Sequence, residues 1–185
     1  MVIAERRLTL DEFLALPEEK PALEYEEGVV SQKVSPRGRH SVLQREVSER
    51  FNRFTVPDKI AYAFPELRVT LRGRSYVPDV SVFAWARIPR TANGEVADDF
   101  IEAPDIAVEI VSPGQRVNAL IRRCTWFVEN GAAAALLVDA DDRSVIVFRP
   151  GALPLTRSGS DAIELDDLLP GFRLATDELF ASLSL

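Results

Sequence analysis

Two carboxylates stand in segments that otherwise have the composition of buried β-strands. Asp79 follows Pro78 at the start of the apolar run VSVF, and Glu109 interrupts the apolar run IAVEIV. A charge in a buried strand is costly unless it is paired with an opposite charge or binds a metal ion. Two carboxylates about 4 Å apart repel by roughly 4 kcal/mol at an effective dielectric constant near 20, and a divalent cation reverses that sign. The pattern therefore favours either ion pairs with arginine at strand ends or a Mg²⁺ or Mn²⁺ site.

The hydrophobic pattern predicts the elements that must position these acids. Apolar residues three or four positions apart predict a long helix over GRHSVLQREVSERFNRF and another after Ser112. Runs rich in β-branched and aromatic residues predict strands at AYAF, ELRVTL, SYVPDVSVF, DIAVEIVS, AAAALLVDA and SVIVFRP. The run around Glu109 is typical of a central strand that is covered on both faces. We therefore predict one α/β (α+β) domain over residues 1–185, with a central mixed β-sheet flanked by helices.

Local signals predict where the helices begin. Thr9 and Glu12 have the spacing of a capping box at the start of a short first helix. Ser112 and Gln115 have the same spacing, with a proline between them, and predict the start of the helix after Glu109. Cys124 lies on the apolar stripe of that helix and is expected in the core.

The composition excludes several classes of protein. One cysteine, Cys124, excludes an internal disulfide and a cysteine-rich zinc site, and one histidine, His40, excludes a histidine-rich metal centre. No apolar run approaches the roughly 20 residues of a membrane span, and the N-terminal segment lacks the apolar core of a signal peptide. We therefore expect a cytoplasmic protein without a membrane partner.

Positive charge is concentrated in one part of an acidic chain. The formal net charge is -7, but residues 33–90 carry twelve basic and five acidic side chains. Such a segment is either a well-solvated face or a surface for an anionic partner such as DNA. Arg68, Arg72 and Arg74 flank the turn before the strand of Asp79 and are candidates to line a path for DNA phosphates. His40 begins the long helix and is expected to face solvent on the same nucleic-acid-binding side.

Several short motifs occur in an order that resembles a known family. They are LEYEEG around Glu24, SPRGRHS with His40, FPELR with Glu66, VPDVSVFAWARIPR with Asp79, APDIAVEIVSPGQ with Glu109 and Gln115, ENGAAAALLVDADDRSVIVFRPG, and LPGFRL. From about Thr9 to Phe180, the chain resembles the Uma-type family of proposed restriction endonucleases, which is abundant in cyanobacteria and belongs to the PD-(D/E)xK nuclease superfamily.

This resemblance implies a restriction-endonuclease-like fold and metal-dependent hydrolysis of phosphodiester bonds in DNA. It implies that Asp79 and Glu109 bind Mg²⁺ or Mn²⁺, that Glu24 is an auxiliary catalytic acid, and that Gln115 lies at the mouth of the site. In the superfamily, a lysine orients or deprotonates the attacking water and offsets charge in the transition state.

The lysine of this pattern is missing from the two positions where the resemblance predicts it. Val111 stands two residues after Glu109, and Arg123 occupies the family's position on the following helix. Arginine keeps the positive charge and can hold a phosphate, but it does not serve as a base. The chain has three lysines, none after residue 59, and Lys33 reaches the site only if the first strand lies beside it.

Two functions of different classes are therefore open. The first is a metal-dependent DNA endonuclease in which Asp79 and Glu109 hold the metal and Arg123 holds the phosphate. The second is a catalytically weak or inactive nuclease-fold protein that acts as a homodimeric module binding nucleic acid or another protein. The two carboxylates favour the first, whereas the missing lysine and the net charge of -7 favour the second.

Overall fold

The computed structural model of the protein describes residues 7–184, which contain ten β-strands, four α-helices and one 3₁₀ helix. The helices are α1 (Leu10–Leu14), α2 (Gly38–Thr55), α3 (Val117–Glu129) and α4 (Thr176–Ala181), with the 3₁₀ helix at Trp85–Arg87. The strands are β1 (Leu23–Glu26), β2 (Val29–Gln32), β3 (Ala61–Pro65), β4 (Val69–Leu71), β5 (Arg74–Tyr76), β6 (Val80–Ala84), β7 (Ile106–Ile110), β8 (Ala134–Asp139), β9 (Ser144–Phe148) and β10 (Leu155–Ser158).

The strands form two sheets. The larger has six strands in the order β10-β9-β8-β7-β6-β3, in which β7 and β8 are parallel and all other neighbours are antiparallel. The smaller is antiparallel throughout, in the order β2-β1-β5-β4. The predicted central mixed sheet flanked by helices is confirmed.

Alternation along β7 divides the core into two parts and sets the direction of Glu109. Val108 belongs to the part that includes the apolar stripe of α2, whereas Ala107 belongs to the part that includes α3. Because side chains two residues apart share a face of a strand, Glu109 lies on the α3 side with Ala107. On that side, α3 buries Cys124 and Phe127 completely, so the expected core position of Cys124 is confirmed.

The helix starts agree with the sequence signals in one case and differ in another. Thr9 forms the predicted capping box with Glu12, whose backbone N–H lies 3.2 Å from the Thr9 hydroxyl. Ser112 does not begin α3, which starts five residues later at Val117. The reason is Gly114, whose φ of +87° lies in the left-handed region and interrupts a right-handed helix.

The segment SYVPDVSVF forms two strands instead of the one predicted. β5 ends at Tyr76 and β6 begins at Val80, so Asp79 lies in a short connection between the two sheets. Pro78 in this connection has no N–H to donate to a sheet ladder. The sequence pattern also does not predict β10, whose residues are mostly exposed.

The helices and the N-terminal segment concern the predictions about membrane spans and signal peptides. Within residues 7–184, no helix combines the length and the apolar composition needed to cross a bilayer. The prediction about a signal peptide falls partly on residues 1–6, which lie outside the described residues. The prediction of one domain over the whole chain stays a prediction.

Candidate active site

Neighbouring strands of the large sheet bring Asp79 and Glu109 together. β6 and β7 are antiparallel with Val80 opposite Val108, and the same register continued by one residue places Asp79 opposite Glu109. Cross-strand neighbours have Cβ atoms about 4.5–5.5 Å apart. Asp79 Oδ2 accepts a hydrogen bond of 2.7 Å from the backbone N–H of Ile110, the residue after Glu109. Both carboxylates are buried, and this register places them on the same face of the sheet.

The small sheet contributes a third buried carboxylate. Glu24 lies on β1, and its Oε1 accepts a hydrogen bond of 2.9 Å from the backbone N–H of Val77. Val77 belongs to the connection that carries Asp79, so this bond attaches the small sheet to the edge of the site. The auxiliary acid implied by the family resemblance is therefore located next to the predicted metal-binding pair.

Lys33 brings a lysine into this group of acids. It follows β2 directly, and its Nζ donates hydrogen bonds of 2.7 Å to Asp79 Oδ1 and 2.7 Å to the carbonyl oxygen of Val77. Burial alone would lower the pKa of Lys33, but the carboxylates of Asp79, Glu109 and Glu24 raise the pKa above its usual value. Lys33 is therefore a cation at neutral pH.

The two positions after Glu109 where the family resemblance predicts a lysine, on the strand and on α3, carry Val111 and Arg123. Lys33 instead lies 46 residues before Asp79, on the hairpin of the other sheet. Lys33 was expected to reach the site only if the first strand lies beside it, and the structure places the β1–β2 hairpin there.

Arg123 links two of the three carboxylates. Its Nη1 and Nη2 donate hydrogen bonds of 2.9 and 2.7 Å to the two oxygens of Glu24, and Nη1 lies 3.4 Å from Glu109 Oε1. The guanidinium also lies 4.5 Å from the centre of the Tyr76 ring. These contacts hold the guanidinium of Arg123 between Glu24 and Glu109, where it fixes the positions of the two carboxylates. A contact with phosphate stays a prediction.

The two strand carboxylates have opposite pKa shifts. Burial, opposed by the charges of Arg123 and Lys33 and assisted by the other two carboxylates, raises the pKa of Glu109 to about 7. Burial would also raise the pKa of Asp79, but the hydrogen bond from His40 and the charge of Lys33 bring it below its usual value. Asp79 is therefore ionised at neutral pH, whereas Glu109 is close to the midpoint of its titration.

The residues present fit a divalent ion that is bound only in part by the protein. Within the described part of the chain, no group of three or more His, Cys, Asp or Glu side chains is arranged to hold a metal ion. Mg²⁺, however, is usually bound by one or two carboxylates together with waters and substrate phosphates. Asp79 and Glu109 supply such a pair.

His40 lies inside the site and does not face solvent. It is 6% exposed, its Nδ1 lies 2.9 Å from Ser112 Oγ, and its Nε2 lies 3.3 Å from Asp79 Oδ1. All three groups are satisfied when the Ser112 hydroxyl donates to Nδ1 and Nε2–H donates to Asp79. The expected solvent-facing position is wrong because the first turn of α2 packs against the Asp79 connection. One turn later, Gln44 donates a hydrogen bond of 3.0 Å to the backbone oxygen of Asp79.

A cavity of about 150 Å³ opens onto these groups. Its lining includes Glu24, Lys33, His40, Asp79, Glu109, Gln115, Arg116 and Arg123. Gln115 thus lies at the mouth of the site, but its Oε1 accepts a hydrogen bond of 2.8 Å from Ser112 N–H and closes a turn instead of capping α3. A larger cleft of about 900 Å³ lies beside β10 and the C-terminal segment, away from the three acids. Convergent titratable groups favour the smaller cavity as the reactive site.

The three arginines predicted to line a DNA path are not among the residues that line this cavity. Arg74 pairs with Glu26 and Glu27 on the small sheet, and Arg68 lies 5.5 Å from the centre of the Phe13 ring. Arg72 occupies the turn between β4 and β5. Their contact with DNA stays a prediction.

A solved structure shares the fold of this chain. The crystal structure of a putative nuclease belonging to DUF820 from Anabaena variabilis ATCC 29413 matches with a TM-score of 0.92. It is 40% identical in sequence, and the match covers 95% of this chain and 99% of that chain. The fold and the acidic site therefore define a nuclease-like protein, as predicted.

The family is shown by the sequence itself. The family model Uma2, described as putative restriction endonuclease, matches residues 10–177. The chain therefore belongs to this family, which confirms the resemblance of its motifs. No curated protein matches the chain.

Proposed function

We propose that the protein is a metal-dependent endonuclease that hydrolyses phosphodiester bonds in DNA at Asp79, Glu109 and Lys33. The observation that carries this proposal is the Lys33 ammonium, 2.7 Å from Asp79 in a group of three buried carboxylates. Membership of a family described as putative restriction endonucleases supports the same reaction class. The site thus contains both the acids and the cation that hydrolysis of a phosphodiester requires.

Each residue has a distinct role in this proposal. Asp79 and Glu109 would hold a Mg²⁺ or Mn²⁺ ion, which when bound offsets negative charge on the phosphate and lowers the pKa of a bound water. Lys33 carries a fixed positive charge, so it stabilises negative charge that develops on the phosphate and does not accept a proton. Because Arg123 forms a forked pair with Glu24, it keeps the auxiliary acid in place beside Val77.

Lys33 also changes the balance between the two functions left open by the sequence. The case for an inactive binding module depends on a missing lysine and on the acidic net charge. With Lys33 in the site, the net charge of -7 is the remaining point in its favour. We therefore propose the enzyme; the homodimer and the cytoplasmic location stay predictions.

Nicking of supercoiled plasmid DNA by the purified protein tests the proposal, with Mg²⁺ or Mn²⁺ and with EDTA. We expect cleavage that needs the metal, is lost in Asp79→Asn, and falls about 100- to 1,000-fold in Lys33→Met, because a group that stabilises charge on the phosphate is removed. Lys20→Met is the matched control, since Lys20 is exposed and does not line the cavity of the three acids, and it should cleave at the wild-type rate. Thermal unfolding of each variant establishes that it is folded.

Two outcomes would contradict the proposal. Cleavage that survives Asp79→Asn would come from a contaminant or from another site. If the folded wild-type protein does not cleave DNA with either metal, the inactive binding module becomes the favoured function.

A further inference from the structure

Two arginines beside the site have no carboxylate partner. Arg116 and Arg122 are exposed, and within residues 7–184 neither side chain makes an ion pair or a hydrogen bond. Arg45 and Arg53 on α2, by contrast, are equally exposed but both pair with Glu49. The two free guanidinium groups are therefore available to an anionic ligand.

A second cavity, of about 430 Å³, adjoins the cavity of the three acids. It is lined by Arg116, Val117, Asn118, Ala119 and Arg122. Arg116 and Ala119 line both cavities, which are therefore direct neighbours. A nucleic-acid strand with one phosphate at Asp79 and Glu109 would place a neighbouring phosphate against the two free arginines.

The spacing and the charge of this surface fit a nucleic-acid backbone. Arg116 and Arg122 are six residues apart, which is about 9 Å along a helix axis. Arginine side chains at this separation can contact two different phosphates of one strand. Because the whole chain carries a net charge of -7, unpaired cations beside the site determine where a polyanion can approach.

We infer that Arg116 and Arg122 bind the DNA backbone next to the phosphate that is cleaved, so that the strand runs over the first two turns of α3. This inference rests on the proposed function, since it takes Asp79 and Glu109 as the point of cleavage. It assigns the backbone contact to α3 and not to the turn that carries Arg72.

Salt-dependent binding of a labelled DNA duplex tests the inference. Fluorescence anisotropy is measured in EDTA, which prevents metal-dependent cleavage, between about 50 and 200 mM salt. The wild-type protein is compared with the double variant Arg116→Gln/Arg122→Gln. The matched control is Arg45→Gln/Arg53→Gln, which removes the same charge from exposed positions that already have a carboxylate partner.

We expect the slope of log K against log salt to fall in magnitude by about 2 in Arg116→Gln/Arg122→Gln, because each lost phosphate contact lowers it by about 1. Affinity at the lowest salt should fall about tenfold, and the control should keep the wild-type slope. A slope that changes equally in both double variants, or in neither, overturns the inference while wild-type binding still supports DNA as the substrate. Absence of salt-dependent binding by the wild-type protein overturns the inference and the DNA substrate together.

Discussion

The free energy of unfolding should depend on the titration of Glu109. Burial raises the pKa of this carboxyl from 4.5 to about 7 in the folded protein. Between these two values, the folded state holds a proton that the unfolded state has released. Raising the pH through this range therefore favours the unfolded state, and the contribution of Glu109 to stability is complete below about 4.5 and lost above about 7.

The expected magnitude follows from the same two values. Each pKa unit corresponds to about 1.4 kcal/mol, so the difference for Glu109 corresponds to about 3 kcal/mol of unfolding free energy. Asp79 contributes with the opposite sign, because its pKa is below the usual 3.8 and its stabilisation is lost only as the pH falls under that value. Between about pH 5 and 8, comparison with a variant that lacks the Glu109 carboxyl therefore separates its contribution from that of Asp79.

Urea unfolding in EDTA at a series of pH values between about 5 and 8 measures this effect. In the variant Glu109→Gln the side chain keeps its shape but has no proton to release, so the wild-type protein should lose up to about 3 kcal/mol relative to it across the range. Glu129→Gln, at the exposed end of α3, is the control and should follow the wild-type curve.

A difference between wild type and Glu109→Gln that does not change with pH would refute this reasoning. It would mean that Glu109 is already ionised at pH 5 in the folded protein, with the surrounding cations fully balancing its charge. The reasoning would also be refuted if Glu129→Gln and Glu109→Gln gave the same dependence of unfolding free energy on pH.

Further predictions concern Arg123, the core and the first helix. Arg123→Lys removes the forked hydrogen bonds to Glu24, so it should lower stability by about 1–3 kcal/mol and slow plasmid nicking; a faster rate than wild type would contradict Lys33 as the lysine of the site. Cys124 is fully buried and burial raises its pKa, so the native protein should react with a thiol reagent no faster than it unfolds. Thr9→Ala should cost about 1 kcal/mol in urea unfolding because the capping box is lost, and Thr9→Ser should retain most of that energy.

The features that depend on local periodicity were predictable from the sequence. The stripe of apolar residues on α2 and the run around Glu109 give the correct elements because both patterns are set by burial against one face or two. The same pattern singles out Asp79 and Glu109, since charged residues in apolar strands are rare without a partner or a ligand, whereas their assignment to one site was implied by the family resemblance.

The remaining parts of the site depend on contacts between distant segments. Lys33 and Glu24 lie on the small sheet, and no spacing along the chain relates them to Asp79 or Glu109. His40 was expected at the surface because helix starts are commonly solvated, and only the packing of α2 on the Asp79 connection buries it. Gln115 has the spacing of a helix cap, but Gly114 delays the helix.

The long separations within the site have a consequence for folding kinetics. The contact between Lys33 and Asp79 joins residues 46 positions apart, and the pair of Glu24 with Arg123 joins residues 99 positions apart. Contacts of such high sequence separation form slowly, because the loop they close must lose its conformational entropy first. A partly folded chain, in which the N-terminal hairpin has not yet docked, therefore holds its strand acids without Lys33 and Glu24. The acids and Lys33 then come together only when the N-terminal hairpin docks, so under the proposed function the site is complete only in the fully folded chain.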